Sequence, residues 1–259
     1  MKQRIITALI LLAIVVPALA LGGYYWRAAL LLVLVLSVYE MLHICIRPKI
    51  KLYVYGIVFL YFIYGFLFNS GLFIETKGIL AFLIIILIAS LFDETLTIER
   101  TTYIFTMGVL ICAGLHILYE IRNIYGFAYV MLLACANYGS DTGAYFIGVW
   151  FGKHLLIPTV SPKKTVEGFF GGIVIGSVIS LLYGYSMHLL QNSLVLTIAC
   201  IILTITSQAG DLIFSAIKRY FGVKDYSNLL PGHGGILDRV DSILFNAIVY
   251  AFFLATVRL

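Results

Sequence analysis

The chain has 259 residues, of which 62% are hydrophobic and only 11% are charged, and its mean hydropathy is +1.06. Apolar residues cluster in runs of about 18 or more, the length that a helix needs to cross a bilayer. This excludes an ordinary soluble domain, and the runs lack the alternation of a β-barrel. The net charge of +5 is not arranged as a basic stripe with exposed aromatics, so we expect no nucleic acid partner. The sequence therefore predicts an all-α, polytopic integral membrane protein.

The apolar runs predict about nine transmembrane helices. They lie near residues 4–21, 28–46, 54–74, 78–92, 102–119, 127–150, 168–190, 194–217 and 241–257. The first run resembles a signal peptide, but the charge distribution favours its retention as a helix. Since no internal repeat or linker interrupts the sequence, we expect one membrane domain, 1–259. Within it, 1–126 are expected to form lipid-facing scaffold helices, and 127–259 the catalytic helices and cytoplasmic loops.

The distribution of Lys and Arg predicts the orientation. With the N-terminus inside, thirteen of the seventeen Lys and Arg residues fall in inner segments. The four in outer segments are Arg27, Lys77, Arg122 and Arg258. Because cytoplasmic loops are enriched in Lys and Arg, the N-terminus is predicted to be cytoplasmic. The polar loops 151–167 and 218–240 then face the cytoplasm, where nucleotides are found.

The four cysteines all lie inside apolar runs, at Cys45, Cys112, Cys135 and Cys200. None has a partner at the CxxC spacing of metal or redox sites. We therefore expect them to be small buried hydrophobic residues, and we expect no zinc site.

Charged residues are concentrated in SQAGDLIFSAIKRYFGVKDYSNLLPGHGGILDRVD, residues 207–241. Asp211 lies near the cytoplasmic end of the eighth span, where an ionised carboxylate is costly unless it faces a polar cavity and has a partner. Ser207, Ser215 and Lys218 fall on roughly the same helix face. Two interpretations stay open, a structural ion pair with a lysine and a metal ligand, and we favour the second.

The loop after this span carries three glycines, Gly232, Gly234 and Gly235. They allow a tight turn whose N–H groups approach an anion. Asp238 and Asp241 stand three residues apart at the start of the last span. There they could bind Mg²⁺ together with phosphate oxygens or simply complement the helix dipole. His233 could bind phosphate, act as an acid or base, or fix the loop by a hydrogen bond.

Two further acids lie inside apolar runs. The sixth span contains ANYGSDTGAYFIG, which places Asp141 in apolar surroundings. Asn137 and Tyr145 lie four residues to either side of it, so this helix face is expected to line a polar cavity. Glu40 is the other buried acid, and we interpret it as pairing structurally with His43 or with a tyrosine, in preference to a catalytic role.

The segment SPKKTVEG precedes the seventh span. Ser161-Pro162 predicts a turn. Lys163 and Lys164 form a cationic pair suited to a polyphosphate, although such pairs also serve as orientation signals or contacts to anionic lipid. Thr165 is expected to cap the next helix without a capping box, because a glycine stands where the glutamate of that box would be.

The stretch from Ser215 to Asp241 closely resembles the signature of the phosphatidate cytidylyltransferase family, also called the CDP-diacylglycerol synthases. The matching positions are Ser215, Lys218, Arg219, Lys224, Asp225, Pro231, His233, Gly234, Gly235, Asp238, Arg239 and Asp241. SDTGAYFIG and SPKKTVEG are also similar to family segments in the expected order, so the resemblance covers about residues 137–257. Val166 departs from the family, which commonly has tryptophan there, and we expect this to affect packing rather than chemistry.

The resemblance implies the condensation of CTP with phosphatidic acid to CDP-diacylglycerol and pyrophosphate. With the orientation predicted from Lys and Arg, we expect the site on the cytoplasmic side of a bacterial plasma membrane. Asp211 and Asp238 stand at the family's metal positions, which implies Mg²⁺, with K⁺ as an optional second cation. The implied catalytic residues are Asp211, Lys218, Arg219, Lys224, Asp225, His233, Asp238, Arg239 and Asp241. The implied substrate-binding residues are Asp141, Ser161, Lys163, Lys164, Thr165, Ser215, Gly232, Gly234 and Gly235. A homodimer is left open.

Other classes of function remain as alternatives. A CTP-dependent transferase or kinase acting on an isoprenoid lipid would use similar chemistry. A cation or proton-coupled transporter would use Asp141 and Asp211 as a relay, but it has no need of the full cytoplasmic motif. A non-catalytic lipid scaffold would not require the aspartates.

Overall fold

The computed structural model describes residues 2–45, 49–190 and 192–257, which are mostly helical, as the apolar runs predict. In chain order the helices are α1 (Lys2–Leu21), α2 (Gly23–His43), α3 (Leu52–Leu67), α4 (Thr76–Phe92), α5 (Ile98–Ile124), α6 (Phe127–Phe151), α7 (Val166–Ser186), α8 (Ser193–Tyr220) and α9 (Leu237–Val257). Arg47 and Arg258, which contribute to the predicted orientation, lie outside the described residues, as do the side chains of Lys2 and Arg4.

The largest difference in a predicted boundary is at the end of α3. This helix ends at Leu67, well before the predicted end at residue 74. The side chain of Asn69 donates a hydrogen bond to the carbonyl of Tyr64 (3.0 Å) and accepts one from the amide of Glu75 (2.8 Å). An asparagine that binds backbone groups in this way favours a turn over further helix.

The length and composition of the helices support a membrane location. Within the described residues, five helices are long and apolar enough to cross a bilayer, namely α2, α5, α7, α8 and α9. Leu60, Ile84 and Leu182 are among the large apolar side chains exposed on helix surfaces, as suits contact with lipid. The protein is therefore an integral membrane protein, while the total of nine spans and the cytoplasmic N-terminus stay predictions.

A small β-hairpin, which the all-α prediction missed, fills the loop between α6 and α7. It consists of β1 (Leu155–Ile157) and β2 (Ser161–Thr165), paired antiparallel with Leu155 opposite Thr165. Its turn is formed by residues 158–160, so the turn predicted at Ser161-Pro162 is wrong. Pro162 is tolerated within β2 because a two-stranded sheet has only edge strands.

The chain divides into two compact units. The first contains Met1–Asn123 and Phe221–Val240, and the second contains Ile124–Tyr220 and Asp241–Leu259. The segment between α8 and α9 therefore groups with the N-terminal helices. The four cysteines are free thiols, three of them buried and Cys135 half-buried, in agreement with the prediction of apolar packing.

Glycines let α6 and α7 approach closely in the second unit. A Cβ atom added at Gly139 would lie 3.2 Å from the Cα atom of Gly176, and one added at Gly143 would lie 3.2 Å from the Cα atom of Gly172. Small residues spaced four apart allow such backbone contact between membrane helices. The helix that carries Asp141 is thus held against the helix that follows the hairpin.

A Gly176→Ala variant is expected to be less stable than the wild type by about 1–3 kcal/mol, the usual effect of overpacking. The new methyl group would lie 2.7 Å from the backbone nitrogen of Ser140, which cannot move freely. Thermal unfolding in detergent micelles measures the effect. Gly56→Ala in α3 is the matched control, because nothing lies within 4 Å of its added Cβ, and an equal loss of stability in both variants would contradict the prediction.

A buried polar network joins α6, α8 and α9 in the second unit. The side chain of Asn137 accepts a hydrogen bond from Ser207 Oγ (2.7 Å) and donates one to Ser242 Oγ (3.0 Å). Thr206 Oγ1 donates to Asn246 Oδ1 at 2.6 Å. Asn137 therefore binds neighbouring helices, instead of lining the cavity that the sequence predicts for it.

Candidate functional site

The β1–β2 hairpin is fixed at its base by the start of α7. Thr165 Oγ1 accepts a hydrogen bond from the amide of Gly168 at 3.1 Å, which confirms the predicted cap. The carboxylate of Glu167 accepts hydrogen bonds from the amides of Lys153 (3.1 Å) and His154 (3.2 Å) and pairs with the His154 ring at 2.7 Å. Sequence reasoning missed this role of Glu167.

Asp211 in α8 has the charged partner that its position predicts. Lys164 Nζ, on β2, lies 2.5 Å from Asp211 Oδ2, and the two side chains are 25% and 32% exposed. Ser215 Oγ donates a hydrogen bond to Asp211 Oδ1 at 3.3 Å. The ion pair with a lysine, one of the two open interpretations, is therefore present, and it brings together three of the predicted site residues at an accessible position.

A second carboxylate belongs to the same cluster. Asp141 of α6 interacts electrostatically with both Asp211 and Lys164. Of these two acids, only Asp211 contacts the ammonium group of Lys164, so with both carboxylates ionised the cluster of Asp141, Asp211 and Lys164 carries more negative than positive charge. Such a cluster is suited to bind a further cation.

The hairpin turn is tied to the last turn of α8. Arg219 Nε donates a hydrogen bond to the carbonyl of Val160 at 3.2 Å. Lys163 is exposed on β2. Two contacts, Arg219 with Val160 and Asp211 with Lys164, therefore hold the basic hairpin beside α8.

Lys218 and Asp241 form a buried pair between α8 and α9. Their Nζ and Oδ2 atoms are 3.6 Å apart, and the side chains are only 8% and 9% exposed. The amide of Ser242 also donates to Asp241 Oδ1 at 2.8 Å. A charge at this depth needs its partner, because removal of one member of a buried pair leaves the other uncompensated.

We call residues 221–236, which join α8 to α9, the signature loop. Gly232 and Gly234 form the predicted tight turn within this loop, with φ of +76° and +80° respectively. The amide of Leu230 donates to the carbonyl of Gly234, and the amide of His233 donates to the carbonyl of Leu230, both at 2.8 Å. Positive φ angles at these positions favour glycine over other residues.

Asp238 fastens this loop to the start of α9. Its Oδ2 atom accepts hydrogen bonds from the amides of Tyr226 (2.8 Å) and Gly235 (2.9 Å). These amides lie towards the two ends of the turn. One carboxylate oxygen is thus committed to the backbone, which fixes the direction in which the carboxylate of Asp238 points.

Glu40 of α2 is the residue that sequence reasoning underestimated. Its side chain is fully buried. Oε1 accepts hydrogen bonds from Ser227 Oγ (2.6 Å) and the amide of Ile236 (2.9 Å), and Oε2 accepts one from the amide of Leu237 (2.8 Å). The predicted pairing with His43 or a tyrosine is therefore wrong. The signal was an acid within an apolar helix, which requires a partner.

The remaining predicted residues of the first unit are more accessible. Lys224 and Arg239 are exposed, and Asp225 is half-buried. In the described part of the chain, His233 Nδ1 is buried without a hydrogen-bond partner. A cavity of about 450 Å³ lies beside the signature loop, lined by Tyr39, His43, Ile44, Val223, Asp225, Tyr226, Ser227, Asn228 and Leu229.

Both carboxylates predicted to bind Mg²⁺ supply the hard oxygen ligands that this ion prefers. Asp211 belongs to the second unit and Asp238 to the first, and their pairing as ligands stays a prediction. Within the ranges that the structure describes, no group of three or more His, Cys, Asp or Glu residues forms a metal site. A bound Mg²⁺ would take further oxygens from phosphate and water, as it usually does.

The sequence is similar to known proteins over nearly its full length. Residues 2–257 match the sequence pattern of the Cytidylyltransferase family. The chain is 37% identical to the phosphatidate cytidylyltransferase of Bacillus subtilis over 257 residues, covering 95% of this chain and 94% of that protein. It is 33% identical to the phosphatidate cytidylyltransferase of Staphylococcus epidermidis over 249 residues, covering 95% of each. The first half of the sequence, where no motif was recognised, is included in these matches. The chain therefore belongs to the cytidylyltransferase family.

Proposed function

We propose that this chain transfers CMP from CTP to phosphatidic acid and so forms CDP-diacylglycerol and pyrophosphate. The observation that carries the proposal is the family match over residues 2–257, together with relatives named for this activity that align with 95% of the chain. The bacterial relatives favour a bacterial plasma membrane. The excess of Lys and Arg in alternate loops favours a site on its cytoplasmic side, where CTP is available.

In this reaction a phosphate oxygen of the lipid attacks the α-phosphorus of CTP. A P–O bond forms there while the bond from the α-phosphorus to the bridging oxygen breaks, and pyrophosphate leaves with that electron pair. The lipid phosphate is already an anion, so it needs little help from a general base. The main barrier is repulsion between two polyanions, which positive groups around the phosphates reduce.

The hairpin and α8 supply such groups in the second unit. Lys163 is exposed, and Arg219 lies beside the hairpin turn. Lys164 is held by Asp211, and an incoming triphosphate would compete with this carboxylate for the ammonium group. Lys224 and Arg239 are further proposed phosphate contacts.

Asp141, Asp225 and Asp241 are assigned supporting roles. Asp241 holds Lys218 at 3.6 Å, which would orient the lysine for a phosphate. Asp141 acts on Lys164 through its charge. Asp225, on the wall of the cavity beside the signature loop, is proposed as a nucleotide contact.

Mg²⁺ is the proposed cofactor, with K⁺ as a second cation, and Asp211 and Asp238 are its proposed ligands. A bound cation would neutralise phosphate charge in the transition state. Asp211 is accessible beside Asp141, and the direction of the Asp238 carboxylate is fixed by two amides. Both features suit metal ligands, whose side chains need to be oriented by neighbouring groups.

Release of pyrophosphate from CTP by the purified protein in vesicles tests the function. We expect release when phosphatidic acid is present, none when it is omitted, and loss of release after chelation. Release with a polyprenyl lipid but not with phosphatidic acid would instead favour the isoprenoid-lipid enzyme. Ion flux without CTP consumption would favour a transporter. Light scattering of the solubilised protein tests for a homodimer.

A further inference from the structure

We propose that Glu40 is a positioning residue of the transfer reaction, which acts by holding the signature loop and thereby the carboxylate of Asp238. The inference rests on the proposed function, because Asp238 is assigned there to the metal. The proposal gives a specific role to α2, which the sequence analysis assigns to the lipid-facing scaffold.

The hydrogen bonds of Glu40 are those of a helix cap supplied from another helix. The amides of Ile236 and Leu237 lie at the N-terminus of α9, where the first N–H groups have no acceptor within the helix. A carboxylate at this position also complements the positive end of the helix dipole. Because Glu40 is fully buried, three donated hydrogen bonds are what make its burial tolerable.

The carboxylates of Glu40 and Asp238 accept hydrogen bonds from adjacent residues at both ends of the turn in the signature loop. At one end of the turn, the amide of Tyr226 donates to Asp238, and the next residue, Ser227, donates to Glu40. At the other end, the amide of Gly235 donates to Asp238, and the amide of Ile236 donates to Glu40. A change in one carboxylate therefore moves the donors of the other.

The backbone at Gly235 packs so closely against Glu40 that neither can move without displacing the other. A Cβ atom added there would lie 2.5 Å from Glu40 Oε2. The backbone of the loop thus rests directly against the buried acid. Any displacement of Glu40 is passed to Gly235, and from there to the Asp238 carboxylate that accepts its amide.

Glu40→Gln tests the proposal. The glutamine side chain keeps one acceptor oxygen but places an NH₂ group opposite a backbone N–H. At least one hydrogen bond of the helix cap is therefore lost, while the size of the side chain is unchanged. We expect kcat to fall by about 10- to 100-fold, the effect of a small misplacement at a site, and half-saturating Mg²⁺ to rise. Hydrogen exchange of the amides in residues 226–237 should accelerate. The control is Glu94→Gln, which makes the same chemical change at an exposed glutamate and should alter none of these quantities.

Ser227→Ala separates positioning from a general loss of stability. It removes one of the three donors to Glu40 and leaves the cap in place, so we expect a several-fold lower kcat and a smaller shift in Mg²⁺ dependence. The double variant should be no worse than Glu40→Gln alone, since residues acting through one another are not additive. If Glu40→Gln fails to fold, the Ser227→Ala result decides alone.

Two results would overturn the proposal. One is a folded Glu40→Gln protein with a wild-type kcat and Mg²⁺ dependence, even if its thermal midpoint is lower. The other is Ser227→Ala with unchanged Mg²⁺ dependence when Glu40→Gln does not fold. Absence of CTP turnover in the wild type would instead reject the proposed function, and the hydrogen exchange of residues 226–237 would still report whether Glu40 holds the loop.

Discussion

An Asp211→Asn variant is expected to lose CTP consumption by about 10³-fold or more, as when a group that stabilises charge in the transition state is removed. Asparagine preserves the size of the side chain but removes the negative charge that Lys164 contacts at 2.5 Å. It also removes an anionic oxygen from the proposed metal ligands. Pyrophosphate release from CTP in vesicles that contain phosphatidic acid measures the loss.

Three further variants identify the cause of this loss. Asp211→Glu keeps the charge, so higher Mg²⁺ should partly restore its activity. Lys164→Met removes a proposed phosphate contact, so higher Mg²⁺ should not restore the activity of that variant. Glu94→Gln, at an exposed position, should retain full activity. Near-normal turnover in a folded, inserted Asp211→Asn protein would remove Asp211 from the metal role.

The second large effect is expected at the buried pair of Lys218 and Asp241. Asp241→Asn should reduce the free energy of unfolding by about 3–5 kcal/mol, because it removes the negative charge that lies 3.6 Å from the buried Lys218 ammonium. The 8% and 9% exposure of the two side chains is what makes the effect larger than at a surface ion pair. Unfolding by heat or denaturant in micelles measures this change.

The double variant Lys218→Met with Asp241→Leu serves as the control for this prediction. With both charges replaced by apolar groups, most of the lost stability should return. Its activity should stay low, because the proposed phosphate contact of Lys218 is gone. A double variant as unstable as Asp241→Asn would show that the charge pair is not the cause.

Hydropathy was sufficient to locate the nine described helices, because each of them coincides with a long apolar run, although only five reach the length and composition that crossing a bilayer requires. The cap at Thr165 was also predictable, since a capping threonine binds an amide only three residues away. The hairpin was not. Its strands are three and five residues long, too short for periodicity to distinguish from an irregular loop.

The site residues were easier to identify than their partners. The acids and bases of the signature stood out because charge is rare in this chain, yet the pairs Lys164 with Asp211 and Lys218 with Asp241 join different elements of the fold. Glu40 and the amide of Leu237 are separated by 197 positions in the sequence. No local pattern contains that information, because packing of the whole unit brings the two groups together.

The grouping of residues 221–240 with the N-terminal helices also affects how this enzyme could be recombined with a relative. The chain leaves the first unit after Asn123, returns to it at Phe221 and departs again after Val240. A chimaera with one crossover near residue 124 would take Glu40 from one parent and the signature loop, which donates hydrogen bonds to Glu40, from the other parent. Exchange of 1–123 together with 221–240 would inherit the acid and its hydrogen-bond donors from a single parent.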